Sequence, residues 1–211
     1  MQDADKDAVP QRWPAARANE WYSEQPWLVG CNYAPATASN QLEMWQAATF
    51  NPKQIDKELS WAADLGMNTV RVFLHDLLWE KDPEVFKTRI DTFLSLAEKH
   101  GIKPLLVLFD SVWDPNPKLG PQQEPVPGVP HSRWVQGPGA AALQDPSQRK
   151  RLEEYVEGVV GAFGKDSRVL GWDVWNEPDN TNASSYGAQE PSNKLDLVVS
   201  HAIYHDTVWM G

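Results

Sequence analysis

One acidic side chain stands at the end of an apolar stretch. A charge there costs free energy unless it is paired or takes part in chemistry. The stretch is "RVLGWDVWNEPDN", residues 168–180, and the acidic residue is Glu177. Cleavage of a glycosidic bond needs a carboxylic acid that protonates the leaving oxygen and a second carboxylate that acts as nucleophile or base. We expect Trp172 and Trp175 to desolvate Glu177 and keep its carboxyl group protonated, and Asn176 to bind a sugar hydroxyl. The alternative is a structural glutamate that pairs with Arg71 or with backbone amides.

Further polar and aromatic side chains follow other apolar segments of strand length. If those strands are parallel, their carboxyl ends meet at one rim, which is where α/β folds place their active sites. The rim then carries these predicted substrate-binding residues: Tyr33, Arg71, His75, Asp110, Trp113 and Trp175. It contains no Gly-rich phosphate loop and no serine nucleophile elbow. This composition favours hydrolysis of a neutral, hydroxyl-rich substrate.

The elements that must position this rim alternate between strands and helices. Short apolar runs at 27–33, 69–74, 102–109 and 169–175 predict strands, and the unbroken run "KPLLVLF" is typical of a parallel strand covered on both faces. Asn-Pro or Asp-Pro opens helical patterns at 51–66, 82–101 and 145–164, and a glycine available for a left-handed C-cap ends each. A fourth amphipathic pattern covers 195–203. The fold class predicted is therefore α/β, a parallel (β/α)4 sheet.

The segments outside this repeat are the N-terminus and one long connection. Residues 1–26 are predicted to form an extension that caps the core, and residues 27–211 to form the (β/α)4 domain. The connection at 111–144 is rich in Pro and Gly, and a loop of that length in a compact domain is usually functional or disordered. Cys31, inside the first apolar run, is predicted to be a buried small hydrophobe.

Composition excludes some classes of partner. A net charge of −10 argues against nucleic-acid binding, and no tract is long and apolar enough to span a membrane. Eleven tryptophans exceed ordinary usage and favour a sugar-binding cleft. His201 and His205 have ligand-like spacing, but solvated histidines are commoner there, so we predict no metal and no cofactor. No leader is recognisable, and either a secreted or periplasmic protein with its leader removed or a cytoplasmic protein fits.

The motifs "LGMNTVRVFL" and "WDVWNEP", in this order, resemble those of clan A glycoside hydrolases, the (β/α)8-barrel superfamily that includes family 5 cellulases and mannanases. The resemblance implies that Glu177 is the general acid/base and that Asn176 holds the sugar 2-hydroxyl. It also implies that Arg71 supports the nucleophile and that the substrate is a β-linked polysaccharide such as a β-1,4-glucan. Four β-α units correspond to the N-terminal half of that barrel.

In that clan the nucleophilic glutamate stands on strand seven, so three hypotheses remain for a chain with four β-α units. A homodimer could complete an eight-stranded barrel and bring two copies of Glu177 to one mouth. Alternatively, Asp110, with Asp114 and Asp76 nearby, supplies the second carboxylate. The third hypothesis is a catalytically incomplete barrel that only binds glycan, through these side chains: Trp79, Trp113, Trp134 and Trp175.

Overall fold

The protein forms a single parallel sheet with helices packed against one face. A computed structural model describes residues 13–178. In that range the four strands lie in the order β1-β2-β3-β4, each parallel to its neighbour. This arrangement confirms the predicted α/β class and is that of part of a (β/α)8 barrel. The predicted helix at 195–203 and the histidine pair His201 and His205 lie outside the described residues.

The strands begin and end close to the predicted limits, except for the first. They are β1 (Gly30–Asn32), β2 (Thr69–Phe73), β3 (Lys103–Asp110) and β4 (Gly171–Asn176). Strand β1 is shorter than predicted and exposed, and Trp27 before it is 84% exposed. The prediction that Cys31 is buried is therefore wrong: β1 is the edge strand, and its side chains lack cover among the described residues.

Three long helices follow the predicted Asx-Pro pattern. They are α3 (Pro52–Asp64), α5 (Pro83–Lys99) and α7 (Arg149–Phe163), the last preceded by a 3-10 turn at Pro146–Gln148. The side chains of Asn51, Asp82 and Asp145 each accept a hydrogen bond from a first-turn amide, as an N-cap does.

Two of the three predicted glycine C-caps are left-handed. Gly66 and Gly101 have φ angles of +84° and +69°. Gly164 has φ −63°, so the prediction of a left-handed cap there is wrong. A Cβ on Gly164 would lie 2.6 Å from the carbonyl oxygen of Val160, so glycine is needed there for close approach of the backbone.

Four shorter helices were not apparent from hydrophobic periodicity, because most contain only one or two turns. They are α1 (Ala15–Ser23), α2 (Gln41–Trp45), α4 (Asp76–Lys81) and α6 (Ala140–Gln144). None of the α1 side chains is buried, so a capping role for residues 1–26 stays a prediction. Among residues 13–178, no helix combines the length and hydropathy needed to cross a membrane.

The hydrophobic core lies between the sheet and the long helices. Val70, Val72 and Leu106 project from the strands into this layer. The indole of Trp45 packs edge-on against Phe93 and donates from Nε1 to the carbonyl oxygen of Phe73, 2.9 Å away. Aromatic side chains thus tie helices to strand backbone as well as filling volume. The opposite face of the sheet, which carries Arg71, Phe73 and Asp173, is called the inner face below.

The long connection between β3 and α6 folds back over the carboxyl end of β2. Backbone bonds join Asp110 to Gly137 and Asp114 to Gln136. Gln41 donates from Nε2 to the carbonyl oxygen of Val135 over 2.8 Å, which fixes the same segment to α2. The connection is therefore an ordered part of the rim, as expected of a functional loop.

Candidate active site

Arg71 is the centre of a polar cluster on the inner face, at the carboxyl ends of the strands. Its Nε donates to Oδ2 of Asp173 over 2.9 Å, and Nη2 also contacts this oxygen. Its Nη1 lies 3.3 Å from Oδ1 of Asn32, and its guanidinium stacks 4.7 Å above the ring of Phe73. The planar fork of the guanidinium therefore joins three of the four strands at one point.

The side-chain amide of Asn176 is held from both sides. Its Oδ1 accepts from Nη2 of Arg71 over 2.9 Å, and its Nδ2 donates to Oδ1 of Asp110 over 2.9 Å. Because a cation faces the amide oxygen and a carboxylate faces the amide nitrogen, this orientation of the amide is favoured over the flipped one. Residues from β2, β3 and β4 thus form one continuous hydrogen-bonded row.

Asp110 is the buried carboxyl group of this row. Its side chain is 3% exposed, and Oδ1 also accepts from the amide of Val112 over 3.0 Å. Burial raises the pKa of Asp110 to about 6, against the opposing effects of Asn176 and the Val112 amide. The predicted contact between Asp110 and substrate is not supported, because Oδ2 is buried and has no hydrogen-bond partner among the described residues.

Glu177 follows Asn176 at the mouth of the rim and is exposed. Its backbone φ is +50°, which an L-residue rarely adopts and which often marks a functional position. The expectation that Trp172 and Trp175 desolvate its carboxyl group is wrong for this structure. Both indoles are buried with the helix-side core, and Trp175, 7% exposed, donates from Nε1 to Oγ of Ser111 over 2.6 Å. Trp175 is therefore not placed to bind substrate.

Tyr33 also lies away from the rim. Its ring stacks on Phe93 of α5, with the ring centroids 6.1 Å apart, and its hydroxyl donates to Oε2 of Glu58 on α3 over 2.9 Å. Burial, followed by the carboxylate of Glu58, raises the pKa of the Tyr33 hydroxyl. The side chain thus turns toward the helix layer instead of the mouth, and a substrate contact of Tyr33 stays a prediction that this placement does not favour.

His75 is fully buried and bound on both ring nitrogens. Its Nε2 lies 3.0 Å from the carbonyl oxygen of Gln136, and its Nδ1 accepts from the amide of Leu77 at the start of α4. The Nδ1 atom also faces Oδ1 of Asp76 at 3.1 Å, and Arg151 contacts the other Asp76 oxygen at 2.7 Å. His75 therefore fastens the rim loop to the sheet and is not placed to contact substrate.

Trp113 is the predicted aromatic residue that the structure keeps at the rim. Its ring lies 5.9 Å from that of Trp134 and 4.9 Å from that of His131, and Trp134 packs edge-on against Phe73 at 5.1 Å. The half-buried rings of Trp113 and Trp134, with the exposed ring of His131 between them, form an aromatic wall beside Arg71. Trp79 lies elsewhere, against Tyr155 on α7.

Asp173 belongs to the site and was missed by sequence reasoning. It lies in the middle of β4, in register with Val107, where a carboxylate needs a partner. A signal was present, because an acidic residue inside an apolar strand and an arginine inside another imply an ion pair. The pair could not be assigned from sequence, since Glu177 was also a candidate partner of Arg71.

The arrangement suits acid/base chemistry on a substrate with hydroxyl groups. An exposed carboxylate, an oriented amide and an aromatic wall lie at one edge of the sheet. No group of three His, Cys, Asp or Glu side chains within residues 13–178 is arranged to hold a metal ion. A parallel β-α repeat that carries such a site at the carboxyl ends of its strands is typical of the (β/α)-barrel glycoside hydrolases.

The chain belongs to glycosyl hydrolase family 5, because the cellulase model of that family matches residues 30–204. No curated protein sequence matches the chain. Among solved structures, it is similar to an exo-β-1,4-mannosidase from Opitutaceae bacterium strain TAV5, with 25% identity and a TM-score of 0.54. That match covers 81% of this chain and 28% of the mannosidase.

Two further structures share the fold at lower identity. GH5_18 from Streptomyces cattleya, in complex with GlcNAc, is 19% identical with a TM-score of 0.52, over 80% of this chain and 39% of that one. A GH5_18 variant from Bifidobacterium longum, in complex with Manb1-4GlcNAc, is 16% identical with a TM-score of 0.54, over 84% of this chain and 41% of that one. The chain thus spans less than half the length of each of these three structures.

Proposed function

We propose that the chain contributes to hydrolysis of a β-1,4-linked glycan, with Glu177 as general acid/base. The observation that carries this proposal is the pairing of an exposed carboxylate with a fixed amide at the end of β4. Asn176 is oriented by Arg71 and Asp110, and Glu177 comes directly after it in the left-handed conformation. A general acid must reach the leaving oxygen while a neighbouring group holds the sugar, and these two positions meet that requirement.

The substrate proposed first is a β-1,4-mannoside. The 25%-identical structure is that of an exo-β-1,4-mannosidase, which supports mannose over the β-1,4-glucan expected from the sequence motifs. Mannose and glucose differ only in the configuration of C2, so the group that holds the 2-hydroxyl has the opportunity to discriminate. In this chain that group is Asn176, and a β-1,4-glucan is the comparison substrate.

The aromatic wall supports a glycan as the ligand. A flat ring such as that of Trp113 or Trp134 matches the apolar face of a pyranose. Trp134 is braced by Phe73, on which the guanidinium of Arg71 also stacks, so the wall is continuous with the Arg71 cluster. A sugar seated against the wall would have its hydroxyl groups directed to the polar row.

The test is hydrolysis of β-1,4-mannobiose and cellobiose by the purified chain, with Glu177→Gln as the variant. We expect mannobiose cleavage that falls by a factor on the order of 10²–10⁴ in Glu177→Gln, because the glutamine cannot donate a proton. Glu154→Gln, an exposed glutamate on α7, is the matched control and should retain full activity. Cleavage unaffected by Glu177→Gln contradicts the role of Glu177.

A homodimer remains our proposal for how the second carboxylate is supplied. Strands β1 and β4 form the two edges of the described sheet, and unpaired edges favour addition of further strands. A two-fold axis along the barrel would join β4 of one copy to β1 of the other. Glycan binding without any release of reducing sugar would instead support the hypothesis of an incomplete barrel that only binds.

A further inference from the structure

We propose that Asp110 is a positioning residue whose carboxylate fixes the orientation of the Asn176 amide and so sets the preference for the sugar 2-hydroxyl. For its substrate, this inference rests on the proposed function. The positioning of the Asn176 amide rests on the hydrogen-bond geometry around it. Oδ1 of Asp110 accepts a hydrogen bond from Nδ2 of Asn176 over 2.9 Å, and Nη2 of Arg71 donates to the amide oxygen of Asn176 over 2.9 Å. Asp110 therefore acts through Asn176 and not by contact with substrate.

Asp110 and Arg71 together leave one favourable orientation of the amide. If the amide were flipped, its oxygen would face the Asp110 carboxylate and its NH₂ would face a guanidinium that also only donates. With the amide as found, one N–H of Asn176 is used by Asp110, and the other has no partner within residues 13–178. That second N–H is the group offered to a sugar hydroxyl.

The Asp110 carboxylate is itself held in place, so it can fix the position of the Asn176 amide. Its Oδ1 also accepts from the amide of Val112 over 3.0 Å. The Asp110 backbone is bonded in both directions to Gly137, with N–O distances of 2.6 and 3.0 Å. The loop that carries Gly137 is in turn bound to His75 through Gln136. Asp110 therefore cannot rotate to follow a displaced amide without breaking these contacts.

The charge on Asp110 makes the strength of its hydrogen bond to Asn176 sensitive to pH. The groups that face Asp110 are Arg71 from β2, which favours the carboxylate, and Glu177 from the end of β4, which disfavours it. On the loop side, the His75 ring lies 3.2 Å from where a Cβ on Gly137 would stand, next to Asp76. Asp173 on β4 is neutralised by Arg71. With a pKa of about 6, Asp110 loses its charge in mild acid.

Protonation changes the strength of the contact and not its partners. The proton would reside on Oδ2, which has no hydrogen-bond partner among the described residues, and Oδ1 would remain an acceptor. The bond to Nδ2 of Asn176 would then change from charge-assisted to neutral, which roughly halves its strength. The NMR signals of the Asn176 side-chain amide should therefore change as Asp110 titrates. An aspartate with a merely structural role would leave these signals unchanged.

The first measurement follows the side-chain amide of Asn176 by ¹⁵N–¹H NMR from pH 4.5 to 8, with Asn176→Ala to assign the signals. We expect the Nδ2 signals to titrate with a midpoint near the Asp110 pKa of about 6. Asp110→Asn should abolish that titration. Asp114→Asn, on the exposed part of the same loop, should leave it unchanged. Signals that do not change with pH in the parent protein, or that titrate equally in Asp110→Asn, overturn the proposal.

The second measurement compares binding of β-1,4-mannobiose and cellobiose to Glu177→Gln, which removes hydrolysis from the readout. Adding Asp110→Asn should reduce the ratio of the two affinities by about tenfold, and adding Asp114→Asn should leave the ratio unchanged. An unchanged ratio in the Asp110 variant overturns the proposal. If neither sugar binds or is cleaved, the proposed function fails, while the Asn176 titration still decides whether Asp110 positions the amide.

Discussion

Arg71 and Asp173 form an ion pair that spans the inner face of the sheet from β2 to β4, across the intervening strand β3. The guanidinium Nε lies 2.9 Å from Oδ2 of Asp173, and both side chains are 24% exposed. Because Arg71 also binds Asn32 and Asn176, one side chain sets the relative position of three strands at the rim. The site geometry therefore depends on the fork shape of the guanidinium as well as on its charge.

Replacing Arg71 with lysine should damage the site without removing the charge. A lysine ammonium cannot reach Asp173, Asn32 and Asn176 at once, so we expect a loss of about 1–3 kcal/mol in the free energy of unfolding. Urea unfolding followed by tryptophan fluorescence measures this. Arg149→Lys is the control, since Arg149 pairs with Glu153 on the outer face of α7 and should change stability little. Equal stability of the two variants would contradict the bridging role.

Burial of Asp110 should make stability depend on pH in the direction opposite to that of most aspartates. Its folded pKa of about 6 lies above the ordinary value of 3.8, so the folded state binds this proton more tightly than the unfolded state. The stabilisation from protonated Asp110 is fully present below about pH 4 and is lost as the pH rises through 6.

The measurement is the stability difference between the parent protein and Asp110→Asn, taken at several pH values to isolate this one group. Between pH 7 and pH 4 the parent should gain on the order of 3 kcal/mol relative to Asp110→Asn. A difference that stays constant over this range would show that the pKa of Asp110 is not raised.

The repeat of the fold could be predicted from sequence, because its signals are local. Asn51, Asp82 and Asp145 cap helices that the Asx-Pro pattern places, and continuous apolar runs locate strands β2 to β4. The predicted length of edge strand β1 was too great, because the apolar run at 27–33 does not reveal that Trp27 lacks a covering neighbour among residues 13–178.

The site was predicted less completely, because the direction in which a side chain at a strand end points depends on how the backbone continues beyond the strand. Arg71 and Asn176 belong to the polar row as expected, and Trp113 is at the rim. Tyr33 and Trp175 instead turn to the helix layer, since Glu58 and Ser111 supply partners there. Those partners are separated by 25 and 64 residues in sequence, so no local pattern could indicate them.

Arg151→Met should destabilise the protein strongly, because it removes the guanidinium that contacts Oδ2 of the buried Asp76 carboxylate. Burial raises the pKa of Asp76, but His75 and then Arg151 outweigh burial and hold the pKa below its usual range. The stabilisation from ionised Asp76 is present above the ordinary aspartate pKa and is lost as the pH falls through the depressed folded value. Removing one partner of a buried pair costs about 3–5 kcal/mol.

Thermal unfolding near neutral pH measures this effect. The control is Lys150→Met, because Lys150 precedes Arg151 on α7 and pairs with Glu154 at the exposed surface. Its melting temperature should differ from that of the parent by no more than the small change that surface substitutions usually cause. An Arg151→Met variant as stable as Lys150→Met would mean that the buried pair contributes nothing.

The homodimer predicts a particle with twice the 23.8 kDa mass of one chain. Light scattering over a concentration series tests this, and a strict monomer at micromolar concentration excludes it. Cys31→Lys places a charge on the exposed edge strand β1 and should lower the dimer fraction. Ala18→Lys adds the same charge on exposed helix α1 and should not, provided that the dimer forms through the strand edges.

Two glycines on α7, three residues apart, should respond oppositely to substitution by alanine. A Cβ on Gly158 would lie 2.1 Å from the ring of Trp79, which is held against Tyr155, whereas a Cβ on Gly161 would meet nothing within 4 Å. Gly161→Ala should therefore stabilise the protein by about 0.5–1 kcal/mol, because alanine restricts the unfolded chain and favours the helix. Gly158→Ala should instead cost about 1–3 kcal/mol through displacement of the Trp79 ring. Denaturant unfolding of the two variants side by side measures both effects, and equal changes in stability would show that Trp79 does not pack on α7.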